Sequence, residues 1–224
     1  MPKTAKSIRM SKLQKSVLII GIILIIDQIL KIWIKTNMTL GEEYRITNWF
    51  IIHFVENPGM AFGWKFGGKG GKLFLSIFRI LAVFGIGWYL YKLTQKEETT
   101  NGLIVCVTLI FTGALGNIID SAFYGLFFDS GTTFNAEIGR YIGYSGISQF
   151  SKGGYAPFLH GCVVDMFYFP IINSKFPEWL PFGMGGRDFI FFRHVFNIAD
   201  SAITTGIITL LLFQKKFFKD FEKK

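Results

Sequence analysis

Asp27 interrupts the apolar run Val17–Ile34, Asn117 and Asp120 fall near the end of Leu103–Phe128, and Asn197 and Asp200 open the run Phe196–Phe213. An ionisable side chain in hydrocarbon costs at least ~2.5–3.5 kcal/mol on insertion scales, so residues of this type inside apolar runs mark a functional site by default. Asp165 stands in a further apolar stretch, Val163-Val164-Asp165-Met166-Phe167, and Glu56 lies beside the turn at Asn57. Two acids brought together at a dry site share one proton, which lets one act as base and the other as acid. The same residues would also serve a proton relay, or a polar network that only holds helices together. Residue types alone leave these three chemistries open.

Spacing adds detail. Asp27 and Lys31 are four residues apart, so they can pair on one helix face. Asn117 with Asp120, and Asn197 with Asp200, are each three apart and share a face in the same way.

The elements that must position these groups are membrane spans. Half the residues are hydrophobic and only 17% are charged, with a mean hydropathy of +0.39, which is too apolar for an ordinary soluble domain. Val17–Ile34, Leu73–Leu93, Leu103–Phe128 and Phe196–Phe213 are each about long enough to cross a hydrocarbon core, which takes ~20 residues. Four spans are expected, with three as the rival because the last run is short. The first run is not a cleaved signal peptide: Asp27 and Lys31 break it, no small-x-small site follows, and hydrophobicity resumes to Ile34. The whole chain, 1–224, is expected to form a single integral membrane domain, with no internal repeat and no separate soluble domain.

Charge bias orients the spans. Lys3, Lys6, Arg9, Lys12 and Lys15 precede the first, Lys92 and Lys96 lie between the second and third, and Lys215, Lys216, Lys219, Lys223 and Lys224 follow the last. Basic flanks stay cytoplasmic, which puts both termini inside and segments 35–72 and 129–195 outside. Asp27 is then about 15 Å along an outward-running helix. Asn117 and Asp120 lie in the last turns of another, and Asn197 and Asp200 in the first turns of an inward-running one. All converge on the outer half of the bilayer or its outer surface. The net charge of +9 follows from these flanks and from anionic headgroups, and no nucleic-acid motif accompanies it.

In the outer segments, Tyr44–Val55 has the aromatic and β-branched composition of a strand, closed by the turn Asn57-Pro58-Gly59. Val163–Ile172 and Phe189–Phe196 are expected to be further strands or interfacial segments. Asp129–Gly154, rich in Gly, Ser and Thr, is expected to be an elaborate loop.

Other chemistries fall away. His53, His160 and His194 lack zinc-protease spacing, and no metal or organic cofactor is expected. Cys106 lies inside a span and Cys162 outside one, so no disulfide is expected, and Cys162 is read as a buried free thiol rather than a nucleophile. Gly67-Gly68-Lys69-Gly70-Gly71-Lys72 lacks phosphate-loop spacing and is read as a flexible connection with lysines at the headgroups.

Five motifs then occur in order: Asp27-Gln28-x-x-Lys31, Asn57-Pro58-Gly59-Met60-Ala61-Phe62, Gly113-Ala114-Leu115-Gly116-Asn117-x-x-Asp120, Val163-Val164-Asp165 and Phe196-Asn197-Ile198-Ala199-Asp200. Together they resemble the bacterial lipoprotein signal peptidases (signal peptidase II) over about residues 17–213. The resemblance implies a membrane α-helical fold of four transmembrane helices with a small extracytoplasmic β-cradle and extended outer loops. It implies an aspartyl endopeptidase of the bacterial inner membrane that cuts a prolipoprotein before its diacylglyceryl-modified cysteine. By resemblance Asp165 and Asp200 are the catalytic pair, and Asp120 is a supporting residue; depth alone would have favoured Asp120 with Asp200. Asn57 and Asn197 are candidates to orient the pair or bind substrate backbone, with Gly59, Ala61 and Ala199 beside them. Asp27 with Lys31, and Asn117 with Asp120, would hold the helices in register. The expected partners are the prolipoprotein and membrane lipids, with the protein working as a monomer. Two features depart from the family: Ser121 stands where Arg usually follows the matching Asp, and 129–160 and 171–190 are extra residues expected to form outer loops. The alternative function is a proton-coupled transporter using Asp27, Asp120 and Asp200 as a relay.

Overall fold

The computed structural model of the protein describes residues 10–59, 68–181 and 183–219. Four helices among them are long and apolar enough to cross a membrane. Helix α1 (Lys12–Asn37) starts earlier than the apolar run suggests because Ser11 and Gln14 cap it reciprocally: the Gln14 N–H donates to Ser11 Oγ at 3.2 Å, and the Ser11 N–H to Gln14 Oε1 at 2.8 Å. Helix α2 spans Gly68–Gln95 and α3 spans Asn101–Ile119. The third run then continues through a π-helical turn at Asp120–Tyr124 and a last turn at Gly125–Phe127. Helix α4 spans Ile198–Phe218. Large apolar side chains along these helices face outward, with Phe84 74% and Leu212 73% exposed, as lipid-facing positions must be.

The chain packs as two compact units, neither contiguous in sequence: residues 1–26, 79–116 and 198–224 form one, and 27–78 with 117–197 the other. The first is helical. Its core joins Leu90 and Leu93 of α2, Leu103, Ile104, Cys106 and Val107 of α3, and Phe217 of α4. Helices α3 and α4 approach through glycine. A Cβ on Gly113 would collide with the Ala199 carbonyl oxygen, and one on Gly206 would lie 2.8 Å from Ile110 and 2.7 Å from the Cys106 carbonyl oxygen. Gly113→Ala should therefore cost about 1–3 kcal/mol of stability. Gly21→Ala, where the added methyl meets nothing within 4 Å, should not. Thermal melts of the two variants in one detergent check this; equal melts would remove the close-approach argument.

The second unit carries all the strands: β1 (Glu43–Arg45), β2 (Ile51–Asn57), β3 (Thr133–Asn135), β4 (Arg140–Ile142), β5 (Val163–Tyr168), β6 (Ile172–Lys175), β7 (Asp188–Phe191) and β8 (Val195–Phe196). A four-stranded antiparallel sheet runs in the order β1-β2-β5-β8, while β3–β4 and β6–β7 are separate two-stranded ribbons. In the central pair, Val55 lies opposite Asp165 and Asn57 opposite Val163, with an irregularity between Ile52 and Val55. Phe54, Val164 and Met166 from this sheet bury against Ile34, Met38, Tyr124 and Phe128.

Three strand expectations are corrected. Tyr44–Val55 is two strands, because the chain folds back where the Ile46 and Thr47 N–H groups donate to the Phe50 carbonyl at 3.1 and 3.0 Å. Val163–Ile172 breaks after Tyr168, before Pro170, a residue that cannot donate to a ladder. Phe189–Phe196 likewise divides into β7 and β8, which belong to different sheets. The stretch Asp129–Gly154 holds the β3–β4 hairpin, so it has secondary structure of its own. The stretch from Gly68 to Lys72, read as a flexible connection, is helical, and Lys72 is buried.

Candidate active site

Asp27, Asn117 and Asp120 converge inside the second unit on one ammonium group, that of Lys31. Lys31 Nζ lies 2.9 Å from Asp27 Oδ2 and 2.8 Å from Asp120 Oδ2, and donates to Asn117 Oδ1 at 3.0 Å. Three acceptors match the three protons of an ammonium. Lys31 and Asp120 are fully buried and Asp27 nearly so. A buried charge persists only when paired and hydrogen-bonded, and this one is paired twice. The expected Asp27–Lys31 pair is present, and it extends to Asp120.

Asp120 is held from every side. Besides Lys31, Gln28 Nε2 donates to its Oδ1 at 2.9 Å, and the Val164 N–H donates to its Oδ2 at 3.3 Å. Gln28 in turn donates to Asp27 Oδ2 at 3.2 Å and accepts from the Tyr124 hydroxyl at 3.2 Å. Both carboxylate oxygens of Asp120 are thus directed at structure, which suits a supporting residue. Ser121 donates to the Asn117 carbonyl at 3.0 Å. The cation that meets Asp120 comes from α1.

The network reaches Asp165 through Asn197. Asn197 Nδ2 donates to Asp165 Oδ1 at 2.7 Å and also lies 3.2 Å from Asn117 Oδ1 and 3.2 Å from the Val164 carbonyl. Asn197 is fully buried and Asp165 is 3% exposed. Strand β5 therefore does two things with adjacent residues: the Val164 backbone binds Asp120 and Asn197, while the Asp165 side chain takes the amide of Asn197. Asp200 stands three residues further along the chain, in the first turn of α4 and in the other compact unit, half-buried. Ala199 is buried beside it in sequence.

Asn57 closes β2 and accepts the Gly59 N–H on its Oδ1 at 2.9 Å; Gly59 has φ +96°, a left-handed conformation that glycine adopts without strain. Ala61 lies outside the described residues.

A second buried pair escaped sequence reasoning. Lys35 and Glu56 form a close ion pair, and Lys35 Nζ also donates to the Ser130 carbonyl at 2.9 Å and stands 5.0 Å over the Phe128 and Tyr144 rings. Glu56 Oε2 accepts the Thr132 N–H at 2.6 Å. Glu56, counted among the candidate acids, is therefore an anchor for residues 130–144. Burial and the Glu56 carboxylate push the Tyr144 phenol above its ordinary range. The signal was in the sequence: 27, 31 and 35 repeat at four residues, a polar stripe two turns long on one helix face. Both cysteines are free and buried.

The profile of the family described as signal peptidase (SPase) II matches residues 19–216. The chain is 50% identical over 194 residues to a lipoprotein signal peptidase of Porphyromonas gingivalis, covering 87% of this chain and 80% of that protein. It is 35% identical over 191 residues to one of Amoebophilus asiaticus, covering 84% and 72%. Among solved structures, a bacterial membrane enzyme determined by the in meso method at 2.3 Å has a TM-score of 0.55 at 24% identity, covering 90% of this chain and 88% of the other.

Proposed function

This chain belongs to the signal peptidase II family and is a multi-pass membrane aspartic peptidase that processes prolipoproteins, and from that premise we propose which residues do the chemistry and where. Asp165 and Asp200 form the catalytic pair. One is ionised and takes a proton from a water as it attacks the scissile carbonyl, and the other donates to the developing oxyanion. The observation that carries this reading is the 2.7 Å bond from Asn197 to Asp165, made by the residue three positions before Asp200. An amide proton fixed on one carboxylate oxygen holds the Asp165 carboxyl in a single orientation.

Asp27, Lys31, Asn117 and Asp120 act as a frame that positions Asn197 and the β5 backbone. Asn57 and Gly59, together with Ala61, are assigned to binding the substrate backbone. In this reading both termini are cytoplasmic and the site opens at the outer face of the bacterial inner membrane, with the protein acting as a monomer among membrane lipids; the basic flanks support that orientation. A site at that depth suits a substrate whose acyl chains stay in the bilayer. The comparisons give the transporter alternative no support.

The test is cleavage of a diacylglyceryl-modified prolipoprotein by the purified protein, with the cut mapped by mass spectrometry. Scission directly before the modified cysteine is expected; no scission with wild type would remove the reading. Asn197→Ala should lower kcat by about ten- to a hundredfold, with a smaller change in KM, because it frees Asp165 without removing it. An unchanged kcat would show that Asn197 does not orient the pair.

A further inference from the structure

A cavity of about 320 Å³ lies in the second unit, at the start of α2, lined by Lys72, Thr132, Thr133, Tyr141, Tyr155 and His160 among others. That volume is at the lower end of the ~300–1,000 Å³ found for small-ligand sites. Most of its wall belongs to segment 132–160, which holds the β3–β4 hairpin. None of these residues takes part in the network around Lys31.

Lys72 is the anomaly. It is 7% exposed, yet no carboxylate stands within ion-pair distance of it among the described residues. Its Nζ donates to Cys162 Sγ at 3.4 Å and lies 5.9 Å from the centre of the Tyr141 ring. Cys162 does not neutralise it. The thiol donates to the Thr132 carbonyl at 3.2 Å, and burial pushes it up to about 11, so at neutral pH it carries no charge. The nearby Glu56 is already matched by Lys35. A buried ammonium with one weak sulfur acceptor and two protons to spare is costly unless something else accepts them.

The rest of the wall supplies donors. The Tyr155 oxygen accepts the Cys162 N–H at 2.8 Å, which leaves its own proton to donate. Burial holds both Tyr155 and Tyr141 above the ordinary phenol range, so each keeps that proton. The cavity therefore offers an excess positive charge and phenolic O–H groups to whatever enters.

We propose that this cavity is a binding site for an anionic oxygen group, a phosphate or carboxylate, with Lys72 as its cation. Lys72 lies in the second turn of α2, at one end of a helix long and apolar enough to cross a membrane, so the phosphate of an anionic lipid headgroup is the natural source and a free phosphate the other. The proposal stands apart from the peptidase assignment.

The test uses the full chain in a neutral detergent. Thermal melts are recorded with inorganic phosphate, with dihexanoylphosphatidylglycerol and with dihexanoylphosphatidylcholine. Anionic lipid should raise the wild-type melt where the zwitterionic lipid does not, and Lys72→Met should weaken its apparent affinity about tenfold or more. Stabilisation by phosphate alone would keep the site and make the free anion its source. Lys72→Met should melt no lower than wild type without ligand, since it removes an unneutralised charge. A lower melt with unchanged anion binding would mean that Lys72 only holds Cys162, and would overturn the proposal. Thr133→Trp, an exposed strand position on the cavity wall, should block binding while leaving Lys72 in place. No anion effect on wild type, or one that survives both variants, also overturns it.

Discussion

Asp165→Asn and Asp200→Asn should each lower prolipoprotein cleavage by about 10²–10⁴-fold, the range expected when a positioned acid or base is removed. Asparagine matches aspartate in shape but cannot exchange a proton with water or oxyanion. At position 165 it can still accept the Asn197 amide on its oxygen, so β5 and its 2.7 Å contact should survive and the fold with them. A melt close to wild type together with lost cleavage separates chemistry from folding. Asp120→Asn should behave differently. Its carboxylate receives Lys31, Gln28 and the Val164 N–H, and an amide must turn one NH₂ toward those donors. The melt should fall while residual cleavage persists. Full activity in Asp165→Asn or in Asp200→Asn would remove that residue from the catalytic pair.

The largest stability effect should come from Lys31→Met. Removing one partner of a buried ion pair costs about 3–5 kcal/mol, because the charge left behind has neither water nor counter-ion. Here one lysine serves two carboxylates and an amide, all buried, so the loss should reach at least that range. The variant should yield little folded protein, or melt far below wild type. Adding Asp27→Asn and Asp120→Asn to Lys31→Met removes the stranded charges and should recover a substantial part of the loss. A single Lys31→Met variant that melts within a degree or two of wild type would show that the buried charges find other partners. The recovered triple variant should still cleave slowly, since the frame around Asn197 is altered.

Much of this arrangement was legible in the chain. Helical spans announce themselves by length and hydropathy, and polar residues inside them are few enough to be read singly. Asp27 and Lys31 paired as their four-residue spacing predicts, because a helix fixes side-chain neighbours locally. What joins Lys31 to Asp120 is an approach between α1 and the end of the third span, residues about ninety apart in sequence, which local spacing does not encode. Lys35 and Glu56 were missed for a related reason: one is on a helix and the other on a strand, and neither falls in a motif. Strand boundaries failed where composition is uniformly aromatic. Across Tyr44–Val55, side chains suited to strands continue through the turn, and the deciding bonds are backbone to Phe50. The stretch 68–72 was misread as flexible because a Gly-Lys repeat looks so in isolation; the burial of Lys72 depends on Cys162 and Tyr141, far along the chain.

The widened π turn at Asp120–Tyr124 bears on how this protein can vary. The Ser121 carbonyl accepts the Gly161 N–H at 2.9 Å, the Ala122 carbonyl faces the Leu159 N–H at 3.5 Å, and the Gly125 carbonyl takes the Ala156 N–H at 3.0 Å. The approach to β5 is thus fastened main chain to main chain, two residues before the valines that precede Asp165. Such fastening is indifferent to side-chain identity, so most positions from 156 to 160 are free to drift without moving the aspartate. Gly161 is the exception, since a Cβ there would strike the Asp120 carbonyl oxygen. Mutational tolerance along this stretch should accordingly be high up to one position and then stop.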